Sequence, residues 1–376
     1  TTLGTSAASK TTSSRAPNLM RVLDSTHRAN LVSFMNNKYT ASGNTPTHTM
    51  VQRADLYMRA DLHQNGPWAA VPGTTAGTYL GCRRNYHILL TDGGWNSSNQ
   101  QLSPKNYDGT TQTLPDGTAY STSSAQTQLY RDSENFSTIA DWAFYSWANP
   151  LKTSGLTGTV QPSPEYRKAP ATETFTKKGT STTATLERFW NPRYDPATWP
   201  HMVTFTIGFS TDALPQVNYN SQGDKVGEIT APTSALPYGY DGDFVNYAKG
   251  TYHWKAYGGN AGGPPATSTA DRGHDMWHAA LNGRGQFYAV EKGEDLKKAF
   301  QQIIGTINTQ TNPDLTSTAT SGSNNTRNDV GKFTGAYEPG NAWKGFVKAE
   351  TVRTDGTLKA AWGGSTTADK LDAMTL

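Results

Sequence analysis

"HILLTDGGWN", residues 87–96, decides the fold, because a short apolar run passes directly into an acidic residue and two glycines. A continuous apolar run of this length, bounded by glycine, predicts a fully buried parallel strand. Asp92 then lies at the carboxyl end of that strand, where open α/β sheets place their ligands. Asp-Gly is also a turn signal, so this pair alone does not establish a site.

The same pattern returns further along the chain. "HMVTFTIGFST", residues 201–211, predicts a second strand, and "GQFYAV", residues 285–290, predicts a third. Apolar residues at helical spacing occur between and after these strands, in the segments "STIADWAFYSWANPL" (137–151), "DRGHDMWHAALNG" (271–283) and "KGEDLKKAFQQIIGTI" (292–307). Strands that alternate with helices predict a parallel sheet in an α/β domain.

Composition limits the classes of function. The 376 residues are 35% hydrophobic and 17% charged, with a net charge of +3. Long polar loops around a folded core are typical of secreted or surface proteins. We find no sustained basic run with interleaved aromatics, which argues against nucleic acid as a partner, and no apolar run long enough to span a membrane. The Ser/Thr-rich start lacks the apolar core of a signal peptide and is typical of a trimmed or internal start.

Changes in composition predict the domain organisation. Residues 1–17 are predicted to be a flexible Ser/Thr-rich start, and residues 18–309 an α/β domain. Polar, Gly-rich and Pro-rich stretches near 97–133, 152–198 and 212–270 are interpreted as insertions, the last two with little regular structure. Residues 310–376 alternate short strand patterns with Gly and Asn turns and are predicted to be β-rich.

The order of the loops resembles the von Willebrand factor A (vWA) domain, a doubly wound, mostly parallel sheet. In that family a divalent cation is held by an Asp-x-Ser-x-Ser motif, a Thr and an Asp from three loops. By motif, Thr45 in "SGNTPTHT" takes the Thr position and Asp92 the Asp position, and such oxygen ligands suit Mg²⁺ or Ca²⁺. In "LDSTHRA" the last Ser is replaced by Arg28, so the first motif is missing. The resemblance therefore implies an incomplete metal site that binds a cation weakly or not at all.

A narrower resemblance rests on several blocks in a shared order. They are "GNTPTHTMVQRADLYM", "NGPW", "CRRNYHILLTDGGWN", "TLPDGTAY", "IADWAFYSWANPL", "WPHMVTFTIGFST" and "DMWHAALNGRGQFYAV". Together they resemble the N-terminal region of the PilC/PilY family of type IV pilus tip adhesins, and "NAWKGFVKAETVRTDGTLKAAWGG" is similar to the entry into that family's β-propeller. The resemblance implies a non-catalytic protein of the bacterial cell surface that acts in pilus assembly, adhesion and twitching motility. Minor pilins and a host or abiotic surface are its implied partners.

Two other classes of function stay open on the residues alone. A secreted metal-dependent hydrolase would need a nucleophile and a base near Asp92, and the sequence has no catalytic motif that supplies them. A carbohydrate-binding module would use the aromatic insertion, whose Tyr238, Tyr240, Tyr252 and Trp254 we interpret as a candidate binding surface.

Several His and Asp residues could be taken for metal ligands or catalytic groups, but their sequence context favours a structural role. His274 and His278 are four residues apart on a predicted helix but lack the metalloprotease Glu, and His201 has no companion ligand in sequence. Asp241 and Asp243 in "YDGDFVNY" begin like a calcium loop without its later Gly and Glu, which favours a turn.

Cys82 is the only cysteine, so it is a candidate redox or disulfide residue whose partner would lie outside these residues. The neighbouring arginines could favour a thiolate, whereas a buried or externally paired cysteine is the more common case.

Overall fold

A computed structural model describes residues 24–37, 45–73, 77–95, 103–132, 137–254, 269–311, 316–321, 330–338, 344–352, 357–361 and 367. The chain divides into two compact units, Thr1–Ile303 and Ile304–Leu376. None of the helices in this described part combines the length and the apolar character that crossing a lipid bilayer requires.

Strands and helices alternate through the first unit, and strands make up most of the described residues of the second. The helices are α1 Ser25–Asn37, α2 Thr47–Arg59, α3 Ile139–Ala148, α4 Pro164–Lys168, α5 Phe244–Lys249, α6 Thr269–Asn282 and α7 Gly293–Thr311. The strands are β1 Asn85–Thr91, β2 Gln112–Thr113, β3 Ala119–Tyr120, β4 Thr172–Thr176, β5 Thr183–Glu187, β6 Met202–Phe209, β7 Val217–Tyr219, β8 Lys225–Glu228, β9 Arg284–Val290, β10 Thr316–Ser321, β11 Val330–Glu338, β12 Lys344–Val352 and β13 Leu358–Ala360.

A parallel sheet with the strand order β1-β6-β9 forms the centre of the first unit. In the register of β1 and β6, Asn85 pairs with Met202 and Thr91 with Gly208, so the two strands end side by side. The predicted mixed α/β fold with a central parallel sheet is confirmed, and it is consistent with a vWA-like arrangement.

Burial differs between the strands of this sheet. The middle strand β6 is buried from Met202 to Gly208, as its apolar sequence requires. Strand β1 lies at one edge of the described sheet, and only Leu89 and Thr91 are buried in it, while Leu90 is 44% exposed. The prediction of full burial was therefore wrong for β1, because an apolar run does not tell an edge strand from a central one.

The core lies between the sheet and the helices α3 and α6. Helix α3 begins with a capping box in which the Thr138 side chain accepts from Asp141 N–H and the Asp141 side chain accepts from Thr138 N–H. Helix α6 packs on β6, where the Thr206 hydroxyl donates to the carbonyl oxygen of Met276 at 2.8 Å. The aromatic side chains of both helices, including Trp142, Trp147 and Trp277, belong to this core.

The insertions contain more regular structure than their composition predicted. Residues 97–133 include the β2-β3 pair and a 3-10 helix at Ala125–Tyr130. The stretch 152–198 includes α4 and the antiparallel hairpin β4-β5, and the stretch 212–270 includes the β7-β8 pair and α5. Threonine-rich alternation such as "TETFT" and "TATLE" has a weak hydrophobic signal, which is why these strands were missed.

The second unit contains an antiparallel sheet in the order β10-β11-β12-β13. Strands β11 and β12 pair along their full length, from Val330 opposite Val352 to Glu338 opposite Lys344. Four successive antiparallel strands are the β-rich structure that the turn pattern indicates for this end of the chain. Its similarity to the entry of a propeller stays a prediction.

Candidate functional site

The loop after β1 places Asp92 at the carboxyl end of the parallel sheet. The Asp92 side chain is exposed, and its Oδ1 accepts from the Gly94 N–H at 2.8 Å. The Ser210 hydroxyl, at the end of β6, donates to the backbone carbonyl oxygen of Asp92 at 3.0 Å. Asp92 therefore forms an Asx turn that joins the ends of two strands, and one of its carboxylate oxygens faces its own backbone.

A positive charge lies against the same loop. Nη1 of Arg272, on α6, donates to the Gly93 carbonyl oxygen at 2.7 Å, and the guanidinium carbon is 5.8 Å from the centre of the Trp95 ring. Gly93 has φ +78°, and a Cβ there would lie 2.8 Å from the Asp212 carbonyl oxygen. Only glycine fits this conformation and this close approach.

Thr45 precedes α2 and is exposed. The start of α2 lies near the loop after β1, because the rings of His48 and Trp95 meet edge to face with centroids 6.3 Å apart. Here the described residues offer two predicted oxygen ligands, Thr45 and Asp92, together with the cationic Arg272. Such a set does not fit a tightly held divalent cation, which needs about six or more oxygen ligands and no neighbouring positive charge. The metal role of Thr45 and Asp92 stays a prediction.

The aromatic residues predicted as a binding surface lie mostly in the core. Tyr238 and Trp254 are 8% and 3% exposed, and Tyr240 and Tyr252 pack against the same core. The Trp254 ring stacks on Tyr247 with centroids 3.9 Å apart, and its Nε1–H donates to the Leu129 carbonyl oxygen at 2.6 Å. This correction also weakens the carbohydrate-binding alternative, because a ring buried between protein groups cannot stack on a sugar.

Cys82 is exposed and free, so the interpretation as a buried cysteine was wrong. The neighbouring guanidinium groups bind elsewhere: Arg83 donates to the Ala69 and Ala70 carbonyl oxygens, and Arg84 donates to Asp195 at 2.7 Å. A disulfide with a cysteine of another molecule or segment stays a prediction.

His201 and His274 have structural partners. His201 Nε2 lies 2.9 Å from Asp195 Oδ2, and its Nδ1 lies 2.7 Å from the Trp199 carbonyl oxygen. Burial opposes ionisation of Asp195, but the His201 ring and the Arg84 guanidinium outweigh it and hold its pKa below the ordinary range. His274 is packed edge to face against Tyr219 and Tyr247, and burial lowers its pKa to about 3.

Asp241 and Asp243 hold a turn together. Both oxygens of Asp241 accept from Thr233, and Asp243 forms a 2.6 Å ion pair with Lys177. Asp243 Oδ2 also accepts from the Thr230 N–H at 2.6 Å. These contacts match the turn that the sequence favoured over a calcium loop.

His278 belongs to a polar cluster that sequence reasoning missed. One ligand-type atom from each of Asp108, Asp132 and His278 lies within 4.8 Å of the others, and all three residues are buried. Asp108 Oδ2 is 3.6 Å from His278 Nε2 and accepts from Asn282 Nδ2 at 2.7 Å. The Asn282 Oδ1 atom is buried and has no hydrogen-bond partner among the described residues. The cluster has the composition of a metal site, and it lies at the carboxyl end of α6, opposite to the end that carries Arg272.

The electrostatics of this cluster follow from its burial. Burial, followed by the negative charge of Asp141, raises the pKa of Asp108 well above its ordinary value. Burial lowers the pKa of His278 to about 3, so the imidazole is neutral at physiological pH. Neutral imidazole is the form that binds metals.

Two further buried acids surround the start of α3. Asp275 accepts from the Ile139 and Ala140 N–H groups at 3.1 and 3.0 Å, and Asp141 accepts from the Asn106 and Thr138 N–H groups, both at 3.1 Å. Backbone N–H groups at a helix start stabilise carboxylates. These two acids therefore already have a structural role as helix caps.

Comparisons with known proteins give one consistent result. Three curated relatives from Pseudomonas aeruginosa are all named "Type IV pilus biogenesis factor PilY1". The protein of strain PAK is 33% identical over 77% of this chain and 21% of its own length, and that of strain PAO1 is 32% identical over 77% and 21%. The protein of strain UCBPP-PA14 is 29% identical over 91% of this chain and 26% of its own length.

No family profile and no solved structure matches the chain. The chain spans between about a fifth and a quarter of the length of these curated relatives. In each comparison the aligned region covers most of this chain. The chain therefore belongs to the PilC/PilY family.

Proposed function

We propose that this chain is a non-catalytic, partner-binding α/β domain of a type IV pilus biogenesis factor. The domain is part of a secreted, surface-exposed protein at the pilus tip. It acts there in pilus assembly and contacts minor pilins. Adhesion to host or abiotic surfaces and twitching motility depend on it. The observation that carries this proposal is the 33% identity to a type IV pilus biogenesis factor over 77% of the chain.

The hydrogen bonds in the loop after β1 support a non-catalytic role. The hydroxyl of Ser210 donates to a backbone carbonyl, and the Asp92 carboxylate accepts from a backbone N–H. A nucleophilic serine needs a base that takes its proton, whereas the Ser210 hydroxyl proton is directed to a backbone carbonyl oxygen. The hydrogen bonds of Ser210 and Asp92 instead hold the loop conformation, which suits a surface that is recognised by a partner protein.

A chromosomal test uses the gene that encodes this chain. We expect its deletion to reduce surface pili, the diameter of twitching zones and the number of attached cells, and the wild-type allele to restore all three. Attachment is normalised to the number of pili per cell, so that an adhesive role is measured separately from assembly. Normal pili and twitching in the deletion strain would contradict the proposal.

The non-catalytic part of the proposal has its own test. We expect an allele with Asp92→Asn to restore pili and twitching to wild-type levels at equal protein abundance, because the Asn Oδ1 still accepts from the Gly94 N–H and keeps the loop conformation, while the carboxylate takes part in no chemistry. Loss of pili by this variant at wild-type protein abundance would instead favour a hydrolase.

A further inference from the structure

We propose that Asp108, Asp132, His278 and Asn282 bind one divalent transition-metal ion, which fixes the 103–132 segment to helix α6. The four side chains come from three parts of the chain: a turn before β2, the residues after the 3-10 helix Ala125–Tyr130, and the last turn of α6. All four are buried, with exposures of 0%, 8%, 2% and 0% in that order. This site is separate from Asp92 and does not depend on the proposed function.

The spacing on α6 supports a shared site. His278 and Asn282 are four residues apart, which places them one above the other on one helix face. Bonds of about 2.0–2.2 Å to a metal put two ligand atoms roughly 3–4.4 Å apart. The ligand atoms of Asp108, Asp132 and His278 lie within 4.8 Å of one another, so small side-chain rotations bring them to these separations.

The side chain of Asn282 provides a second and independent indication of a bound cation. Its amide is fully buried, its Nδ2 donates to Asp108 Oδ2 at 2.7 Å, and its Oδ1 has no partner among the described residues. A buried carbonyl oxygen without a donor costs about 1–3 kcal/mol. Rotation of the amide about χ2 exchanges Nδ2 and Oδ1, breaks the 3.3 Å hydrogen bond from Nδ2 to the Ala140 carbonyl oxygen, and brings Oδ1 next to Asp108. A cation at this point supplies the missing partner of this oxygen.

His278 can provide the nitrogen ligand. Its Nε2 lies 3.0 Å from the Tyr130 carbonyl oxygen and 3.6 Å from Asp108 Oδ2, and its ring stacks on Trp254 with centroids 4.7 Å apart. Binding through Nε2 exchanges the hydrogen bond to Tyr130 for the metal bond and places the proton on Nδ1. The stacking contact holds the ring plane during this exchange.

Charge also favours a cation here. Asp108 and Asp132 are buried in the same cluster, and the negative charges of Asp141 and Asp275 both act on Asp108. Carboxylates that are buried in one cluster are costly to ionise together. A divalent ion bound by Asp108 and Asp132 compensates two of them.

The ligands select the class of metal. Two carboxylates, one imidazole and one amide oxygen are a mixed N and O set, which suits zinc and its first-row neighbours, whereas Ca²⁺ and Mg²⁺ prefer oxygen alone. Four protein ligands in a buried site are typical of structural rather than catalytic zinc. The ion would therefore stabilise the fold by joining the 103–132 segment to α6.

The test uses the whole chain, purified without a histidine tag and stripped of metal by a chelator. We expect about one equivalent of Zn²⁺ per chain by elemental mass spectrometry, a rise in Tm on adding Zn²⁺, and visible absorption bands on adding Co²⁺. Asp108→Asn and His278→Gln should each lower Zn²⁺ affinity at least about tenfold, which is the lower end of the range seen for the loss of supporting groups. Asp116→Asn is the control, because it neutralises an exposed acid of the same 103–132 segment outside the cluster, and it should keep wild-type affinity.

Three results would overturn the proposal. The first is fewer than about 0.1 equivalents of bound Zn²⁺ in the wild-type chain. This measurement uses no variant, so it is decisive even if the variants do not fold. The second is unchanged Zn²⁺ binding in folded Asp108→Asn, with folding checked by near-UV circular dichroism. The third is tighter binding of Ca²⁺ than of Zn²⁺ by the wild-type chain.

Discussion

Trp254 lies between two other rings in the core of the first unit. One face stacks on Tyr247 and the other on His278, with interplanar angles of 14° and 11°. Its indole N–H donates to the Leu129 carbonyl oxygen, which links the 212–270 stretch to the 3-10 helix. The residue therefore joins two insertions and packs against the polar cluster.

Truncation of this ring should destabilise the protein. We expect Trp254→Ala to lower the free energy of unfolding by about 3–5 kcal/mol, because a large aromatic side chain is removed from a packed core. Urea unfolding followed by far-UV circular dichroism measures the change. Val226→Ala is the control, since Val226 is 46% exposed and should change stability by less than about 0.5 kcal/mol. Equal effects of the two variants would contradict the buried position of Trp254.

Asp275 gives stability a dependence on pH. Burial raises its pKa from the ordinary 3.8 to about 7, although the N–H groups of Ile139 and Ala140 act in the opposite direction. A folded-state pKa above the unfolded value means that the native state binds the proton more tightly. This contribution to stability is fully present below about pH 4 and is lost as pH rises through about 7.

We therefore expect the difference in unfolding free energy between wild type and Asp275→Asn to change between about pH 4 and 7. The wild type should lose stability with rising pH over this range relative to the variant, because the variant has no proton to release. Urea unfolding at several pH values, with a chelator present in every sample, measures this difference. Parallel profiles for the two proteins would show that Asp275 does not titrate in this window.

Helix α3 shows how local signals and tertiary contacts combine in one element. Its sequence contains a Thr at the N-cap and an Asp three residues later, and both form the reciprocal bonds of a capping box. Asp275 of α6 accepts from the N–H groups of Ile139 and Ala140, so the helix start is held from two sides. The first of these features is visible in the sequence, and the second requires the fold.

The cap should have a measurable effect on stability. We expect Thr138→Ala to lower the free energy of unfolding by about 1 kcal/mol, because the Asp141 N–H loses its side-chain acceptor. Thr138→Ser keeps the hydroxyl oxygen and should remain within about 0.5 kcal/mol of wild type, as is usual for substitutions that keep the interaction. Thermal unfolding of the three proteins side by side provides the measurement. A serine variant as unstable as the alanine variant would point to the methyl group instead of the cap.

Strands were predicted where the sequence has a mainly apolar run, and missed where it does not. "MVTFTIGF" in β6 is such a run, and the prediction there is confirmed. In the hairpin β4-β5 the outward residues are threonines, and the hydroxyls of Thr174 and Thr185 lie 2.8 Å apart across the pair. This alternation has too few apolar residues to stand out from a loop.

The polar cluster could not be predicted, because its members are distant in sequence. The sequence shows that His278 and Asn282 share a helix face, but Asp108 is 174 positions from Asn282. Only the packing of the 103–132 segment against α6 brings these side chains together. Asp92, in contrast, could be placed at a strand end from its immediate neighbours.

At the scale of the whole molecule, α6 extends from one end of the central sheet to the other. Arg272 near its start binds the loop after β1, and Asn282 at its end contacts Asp108. About ten residues of helix separate the two contacts, which is about 15 Å at roughly 1.5 Å per residue. The two candidate metal sites are therefore distinct and can be tested independently.

We expect the loop after β1 to bind Mg²⁺ or Ca²⁺ no tighter than millimolar, because Thr45 and Asp92 are the only predicted ligands among the described residues and Arg272 opposes a cation. Isothermal titration calorimetry of wild type and Asp92→Ala measures this affinity. Micromolar binding of either ion that disappears in Asp92→Ala would contradict the expectation. Zn²⁺ binding should be the same in both proteins, since Asp92 is outside the polar cluster.

The hydrogen bond from Arg272 to Gly93 also has a consequence for recognition. A guanidinium that belongs to the chain cannot be removed by a chelator or diluted away, so the loop keeps its shape whatever the concentration of divalent ions. A partner that binds this loop would find the same surface in calcium-rich and calcium-poor surroundings.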